Sequence, residues 1–275
     1  MDWIVEPFSQ PFMQRVLLGG SLTVITASLV GTWVVLRGLS FMGDAVAHGV
    51  TPGIAIAFAV GFDLTLGAIG AAVVMVAGIN LVHRRARLRE DVGIGLLFVG
   101  MLALGVIIMS RLPGFTGSLT DILFGDALAI GWDDVALQAV AAGVALAVVI
   151  LFYRPFLVLS FNEAKAAMLG LRPGLANFVM LALLTGVIVT AFRTVGTLLV
   201  FALIVAPPAT ASLIVRRVPT MMITASVLGV GSVAAGLLIS WHADTAAGAT
   251  IAGLSVAVFF VVLVGRDLVA ALRAS

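Results

Sequence analysis

Two ionisable residues four positions apart stand inside an apolar stretch of this sequence. They are Asp44 and His48, in Gly43-Asp44-Ala45-Val46-Ala47-His48-Gly49-Val50-Thr51-Pro52-Gly53. A charged group near mid-membrane costs at least ~2.5–3.5 kcal/mol on insertion scales, so such residues usually face a cavity or a pathway. Residues four apart lie one above the other on a helix face, their Cβ atoms ~5–6 Å apart. A carboxylate oxygen and an imidazole nitrogen so placed can share one divalent cation. Mixed oxygen and nitrogen ligation suits zinc, manganese or ferrous iron, whereas calcium and magnesium take oxygen ligands. Two protein ligands are too few for a storage site but suit transport, where water or other spans fill the remaining positions and the ion must leave again. The competing reading is an Asp–His pair that fixes helix packing with no ion involved. Pro52 lacks an N–H and so leaves the carbonyl of His48, four residues earlier, without its helical partner. Gly49 and Gly53 let a neighbouring helix come close.

The elements that must carry this pair follow from composition. The chain has 275 residues, 62% of them hydrophobic and only 10% charged, with no cysteine and a mean hydropathy of +1.24. Soluble domains carry roughly a quarter charged residues, so a soluble enzyme, a nucleic-acid binder and a disulfide-stapled secreted domain are excluded. Missing cysteine also removes thiolate metal sites and redox chemistry. Uncharged stretches near or above the ~20 residues needed to cross a bilayer fall at about 14–36, 38–62, 64–83, 92–110, 134–153, 173–192, 194–215, 218–241 and 245–265. The expectation is an all-α, polytopic membrane protein of nine spans, forming one domain over 1–275. Eight spans remain open, because little more than Arg193 separates the sixth stretch from the seventh. The first span lacks a signal-peptide cleavage pattern and is expected to be retained. Positive residues mark cytoplasmic loops, and the cluster Arg84, Arg85, Arg87 and Arg89 anchors the count. It places Arg37, Arg154, Lys165, Arg172, Arg216, Arg217, Arg266 and Arg273 inside, and Asp63, Asp121, Asp126, Asp133, Asp134 and Asp244 outside, with Arg15, Arg111 and Arg193 as exceptions. Nine spans then leave the N-terminus outside and the C-terminus in the cytoplasm.

Fewer groups elsewhere invite chemistry. His242 follows Trp241 and precedes Asp244 at the outer end of the eighth span, either as an ion-collecting mouth or as part of an aromatic belt. His83 adjoins the arginine cluster and reads as a cytoplasmic residue. The ten methionines form no M-x-x-M cluster, which argues against a copper-type thioether path. Segment 111–133, with Pro113, Gly114, Gly117, Gly125 and Gly131, reads as an external loop, either a docking surface or a solvated connection. Between the fifth and sixth spans, Asn162 is an expected N-cap, Glu163 suits a first turn, Lys165 follows, and Gly170 is an expected C′ residue. Together they predict a short amphipathic cytoplasmic helix within about 161–172. No G-x-x-x-x-G-K-[ST] occurs, so any ATP must be handled by another chain.

Three stretches resemble the membrane permease of bacterial metal-ion ABC importers, the zinc/manganese/iron type-3 family. Asp44-Ala-Val-Ala-His48 with Pro52-Gly53 resembles that family's D-x-x-x-H-x-x-x-P-G element, whose Asp and His contact the metal in the translocation path. Gly196-Thr-Leu-Leu-Val-Phe-Ala-Leu-Ile-Val-Ala-Pro207-Pro208-Ala-Thr-Ala211 is similar to its G-T-L-L-V-x-A-L-L-V-x-P-A-A-T-A stretch. Asp244-Thr-Ala-Ala-Gly248-Ala-Thr-Ile251 resembles its late D-x-x-x-G-A-T-I element. The likeness runs in order from about residue 12 to 265. Pro208 departs from it, standing where the family usually has Ala. Two consecutive prolines free the carbonyls of Leu203 and Ile204 and are expected to bend or break the seventh span.

The resemblance implies a type II-like importer permease in the bacterial inner membrane, with no permanently bound cofactor. It implies pairing with a second permease copy, two cytoplasmic ATP-binding subunits that hold ATP and magnesium, and an extracytoplasmic metal-binding protein. Nucleic acid has no part in it. The segment around Asn162, Glu163, Lys165 and Gly170 would dock the ATPase as a coupling helix. Zinc is the first expectation for the cargo, because imidazole binds it more tightly than manganese; manganese or iron is the alternative. A proton-coupled secondary transporter would use Asp44 and His48 as a relay but leaves the coupling-like helix unexplained. An intramembrane metalloenzyme would need a motif such as H-E-x-x-H, and His48 is followed by Gly49.

Overall fold

Segments that are apolar around their whole circumference must close their backbone hydrogen bonds internally when surrounded by lipid, which makes them helices. The computed structural model describes residues 2–86, 90–109, 130–195 and 197–274, and every regular element among them is an α-helix. In chain order they are α1 (Asp2–Ser9), α2 (Pro11–Leu36), α3 (Ser40–Gly49), α4 (Thr51–Val60), α5 (Leu64–Ala86), α6 (Glu90–Met109), α7 (Trp132–Leu151), α8 (Tyr153–Phe161), α9 (Glu163–Met168), α10 (Pro173–Val195), α11 (Thr197–Ile214), α12 (Val218–Ala243) and α13 (Ala247–Ala274).

Among the described residues, six stretches are long and apolar enough to cross a membrane, namely 11–36, 40–60, 132–151, 173–191, 218–243 and 247–269. The expected spans at 64–83, 92–110 and 194–215 fall on α5, α6 and α11, whose apolar stretches among the described residues are 64–79, 94–105 and 199–214, so these stretches do not raise the count to nine. Most of segment 111–133 and part of the arginine cluster lie outside the described residues. The second expected span is divided in two, α3 and α4, with Val50 between them. Two helices were not expected at all: α1, ahead of the first expected span, and α8, between the fifth expected span and the short helix around Glu163.

Helix α2 is the centre of the bundle. Of its most apolar stretch 67% is buried, against 22% for α7 and α13, so α2 is surrounded by protein while this chain leaves most of the surface of α7 and α13 uncovered. It packs on α11, α12, α7 and α10. Close approach is allowed by Gly31, where a Cβ would overlap the carbonyl of Ile204 on α11. That carbonyl is one of the two that the proline pair deprives of a helical donor. The break that the pair could have caused does not occur, and α11 runs unbroken from Thr197 to Ile214 with Pro207 and Pro208 inside it. The physical reason lies in the neighbouring backbone. The Cα of Gly31 covers the orphaned Ile204 oxygen, a contact of the weak C–H···O kind, and both prolines are buried against other helices. Two residues on, the hydroxyl of Thr210 donates to the carbonyl of Ala206 at 2.8 Å.

The C-terminal end of α2 is tied to the segment that follows α7. Trp33, fully buried, meets Tyr153 and Phe156 of α8 edge-on, with ring centroids 5.5 and 5.6 Å apart. Arg37, one residue beyond α2, donates from its guanidinium to the side-chain oxygen of Asn177 on α10.

Candidate metal site

The ten residues of α3 carry Asp44 and His48 on one face, as the i, i+4 spacing requires. His48 Nε2 lies 3.5 Å from Asp44 Oδ1, and the two side chains are 28% and 27% exposed. That separation is longer than a good hydrogen bond. It suits two ligands of one ion: atoms 3.5 Å apart, each ~2.1 Å from a metal, subtend roughly 110°. Among the described residues no cluster of three or more His, Asp or Glu side chains could hold a metal. Two ligands from α3 would leave the rest of a coordination shell to water or other groups.

The helix break sits directly after the pair. α3 ends at Gly49 and α4 begins at Thr51, with Pro52 in its first turn. The sequence expectation that Pro52 leaves the His48 carbonyl free is corrected by Thr51, whose hydroxyl donates to that oxygen at 2.7 Å. A Ser or Thr hydroxyl reaches back three or four residues to a carbonyl readily, so the sequence did contain this signal, three residues after His48.

Small residues bring the surrounding helices in, as expected of Gly49 and Gly53. A Cβ at Gly49 would stand 3.2 Å from the side chain of Met75 on α5. A Cβ at Gly53 would overlap the carbonyl of Gly67, and one at Gly67 would overlap that of Gly53, so α4 and α5 cross backbone to backbone. From α6, Gly105 admits Thr51 and Pro52, and Phe98 sets its ring edge-to-face against the His48 imidazole with centroids 5.9 Å apart. Phe41, three residues before Asp44, meets Phe98 in turn at 5.8 Å. Nothing in the sequence pointed to Phe98, because it is brought in from a separate helix. An apolar cleft of about 410 Å³ lies beyond the break, lined by Pro52, Gly53, Gly67 and Leu104 among others, and includes neither ligand of the pair.

The other expected site residues lie apart. His242 and Asp244 are exposed at the turn from α12 to α13, where Asp244 takes a left-handed conformation with φ 50° and caps α12. The structure does not gather them with Asp44 and His48 into one ligand cluster. Pro207 and Pro208 lie within α11, which packs on α3, and Phe201 of α11 faces Gly43. Asn162 caps α9 as expected, its Oδ1 accepting the backbone N–H of Lys165 at 2.9 Å. Gly170 closes the segment in the left-handed region at φ 70°. Its N–H donates to the Ala167 carbonyl and that of Leu171 to Ala166, the paired closure of a Schellman motif. Glu163 opens the helix and, with Lys165, is exposed. Phe161, Met168 and Leu169 are 71%, 87% and 58% exposed around the buried Ala166, leaving an apolar knob at the end of the bundle.

Comparison with known proteins agrees with this architecture. The manganese transport system membrane protein MntC of Listeria monocytogenes is 35% identical over 91% of this chain and 89% of its own length. A probable iron transport system membrane protein of Haemophilus influenzae is 32% identical, covering 95% of this chain and 96% of that one. Among solved structures, PsaBC from Streptococcus pneumoniae in complex with Fab superposes with a TM-score of 0.82 at 31% identity, over 95% of this chain and 94% of its counterpart. An inward-facing putative metal-chelate type ABC transporter shares the fold at a TM-score of 0.66 and 16% identity, over 93% and 89%. The model of the ABC 3 transport family matches residues 9–266, so this chain, over nearly its whole length, belongs to that family.

Proposed function

We propose that this chain is the membrane-spanning permease of an ATP-driven importer that carries a divalent transition metal into the cytoplasm, with manganese or ferrous iron as the cargo. The observation that carries the reading is the Asp44–His48 pair, set 3.5 Å apart on a helix that stops within the bundle directly after it. Zinc was the first expectation from imidazole chemistry. Manganese and iron stand in the names of similar proteins such as MntC and the Haemophilus protein, and a carboxylate oxygen with water completing the shell suits manganese. Asp44 and His48 bind the ion transiently. A second copy of the chain and two ATP-binding subunits, which hold ATP and magnesium, complete the transporter, and an extracytoplasmic binding protein delivers the metal. The apolar knob of Phe161, Met168 and Leu169, next to Asn162, Glu163, Lys165 and Gly170, is the docking point for the ATPase. The importer resides in the bacterial cell membrane.

The test is uptake of manganese, ferrous iron and zinc by vesicles containing the reconstituted complex, wild type against Asp44→Ala and His48→Ala. Loss of uptake in both variants, with ATP hydrolysis retained, is the expected result. Normal transport by both variants would remove the pair from the pathway, and a wild-type complex that carries zinc but neither other ion would overturn the choice of cargo.

A further inference from the structure

An ion leaving the pair has one open side of α3 to follow. That helix is packed by α5, α6, α10 and α11, and its residues Met42, Ala45, Val46 and Ala47 are at most 2% exposed. Asp44 and His48, 27% and 28% exposed, lie on the side left open. Phe41, 49% exposed, falls on that same face at the i, i+3, i+7 spacing. It belongs to the first turn of α3, about 4.5 Å along the axis from Asp44. The start of α3 follows closely on the end of α2, where Trp33 is held against Tyr153 and Phe156 of α8, and α8 leads through Asn162 into α9. Phe41 therefore stands between the pair and the end of the bundle that carries the ATPase docking point.

The Phe41 ring is braced from a second helix. Phe98 of α6 meets it edge-on, with centroids 5.8 Å and planes 72° apart, and the same Phe98 ring reaches the His48 imidazole at 5.9 Å. One aromatic wall thus runs alongside the pair and past it. Between Asp44 and Arg37 the sequence offers no charged side chain. A divalent ion gives up water only where ligands replace it, and a phenyl ring in its way supplies none; hydrophobic constrictions of this kind close by excluding water. We propose that Phe41, braced by Phe98, is an apolar gate that keeps a divalent metal ion at the Asp44–His48 pair from escaping to the ATPase end of the bundle until the helices move; this rests on the metal reading above.

The experiment measures passive manganese flux across vesicles containing the reconstituted complex, once without nucleotide and once with a non-hydrolysable ATP analogue, together with ATP-driven uptake. It compares wild type, Phe41→Ala, Phe41→Ser, Phe41→Leu and His48→Ala. Phe41→Ala and Phe41→Ser are expected to raise the passive flux at least about tenfold in one nucleotide condition or both, and to lower net uptake because the ion leaks back. Phe41→Leu keeps the apolar bulk and stays within about twofold of wild type. Phe41 is half exposed, so its loss leaves the core of the bundle packed, and retained ATP hydrolysis shows that the variants assemble. Passive flux at the wild-type level in both conditions for the alanine and serine variants overturns the proposal, as does a leucine variant that leaks as freely as alanine. If His48→Ala abolishes uptake while the Phe41 variants stay tight, the gate alone falls; if His48→Ala transports manganese normally, the metal reading itself falls.

Discussion

At the scale of single residues, the region after Asp44 and His48 shows how a helix can end inside a bundle without leaving a polar group exposed to lipid. Pro52 takes away the N–H that would have met the His48 carbonyl, and the Thr51 hydroxyl replaces it at 2.7 Å. The hydroxyl does so from the residue next to the proline, so the stop and its compensation are encoded side by side. Substituting Thr51 with Val keeps the β-branched shape and removes only the donor. It should cost about 1–3 kcal/mol, the usual penalty for an unsatisfied buried acceptor, seen as a lower melting temperature of the purified complex. Thr51→Ser should recover most of the loss. Identical melting of wild type and Thr51→Val would mean that water, not Thr51, serves the carbonyl. The Asp44–His48 pair was legible in the sequence because ionisable residues at helical spacing in an apolar run are rare. Phe98 was not, since a ring that arrives from α6 leaves no trace in the local spacing of α3.

At the scale of elements, the segment after α7 is a train of short helices fixed at both ends. α8 is held to the central helix α2 by the Trp33–Tyr153–Phe156 cluster, and α9 is closed by Asn162 at its start and Gly170 at its finish. The capping residues made α9 readable from the sequence, whereas α8 lacked any side-chain cap at its start and was passed over. The proline pair of α11 taught the opposite lesson. Local chemistry predicted a bend or a break; the helix is not broken, and the close approach of Gly31 on α2 to the Ile204 carbonyl shows only in the tertiary packing. Two outcomes follow for the coupling segment. Gly170→Ala forces a Cβ into a backbone at φ 70° and should cost about 1–2 kcal/mol of local stability, measured as faster amide exchange in α9. Met168→Asp, at a side chain 87% exposed, should leave the fold intact. By placing a charge on the apolar knob, it should lower metal-stimulated ATP hydrolysis by the assembled complex at least about tenfold, as expected when a charge is buried unpaired at an interface. Undiminished hydrolysis would show that the ATPase docks elsewhere.

At the scale of the whole molecule, composition alone marked the class, since so few charges cannot cover a water-facing surface. The exposed apolar residues bear this out: Val140, Val144, Ile150 and Leu151 on α7, and Phe260, Val261, Val264 and Leu268 on α13, form faces that belong in lipid. Orientation rests on a different kind of signal, the distribution of arginine among loops, and its strongest member lies partly outside the described residues. The chain offers a clean way to test it, because it has no cysteine and each introduced thiol is unique. Ser9, Lys165, Thr245 and Ala271 are all exposed and lie on four different segments, the end of α1, α9, the turn from α12 to α13 and the last turns of α13. If nine segments cross the membrane, cysteine at Ser9 or Thr245 should react with an impermeant maleimide in intact cells. Cysteine at Lys165 or Ala271 should react only after permeabilisation. The pair Ser9 and Ala271 is the decisive one, since an odd number of crossings puts them on opposite sides and an even number puts them on the same side. Labelling of both from outside, or of neither, would therefore reduce the count to an even number, and reactivity at Lys165 from outside would turn the coupling segment away from the ATPase and invert the molecule.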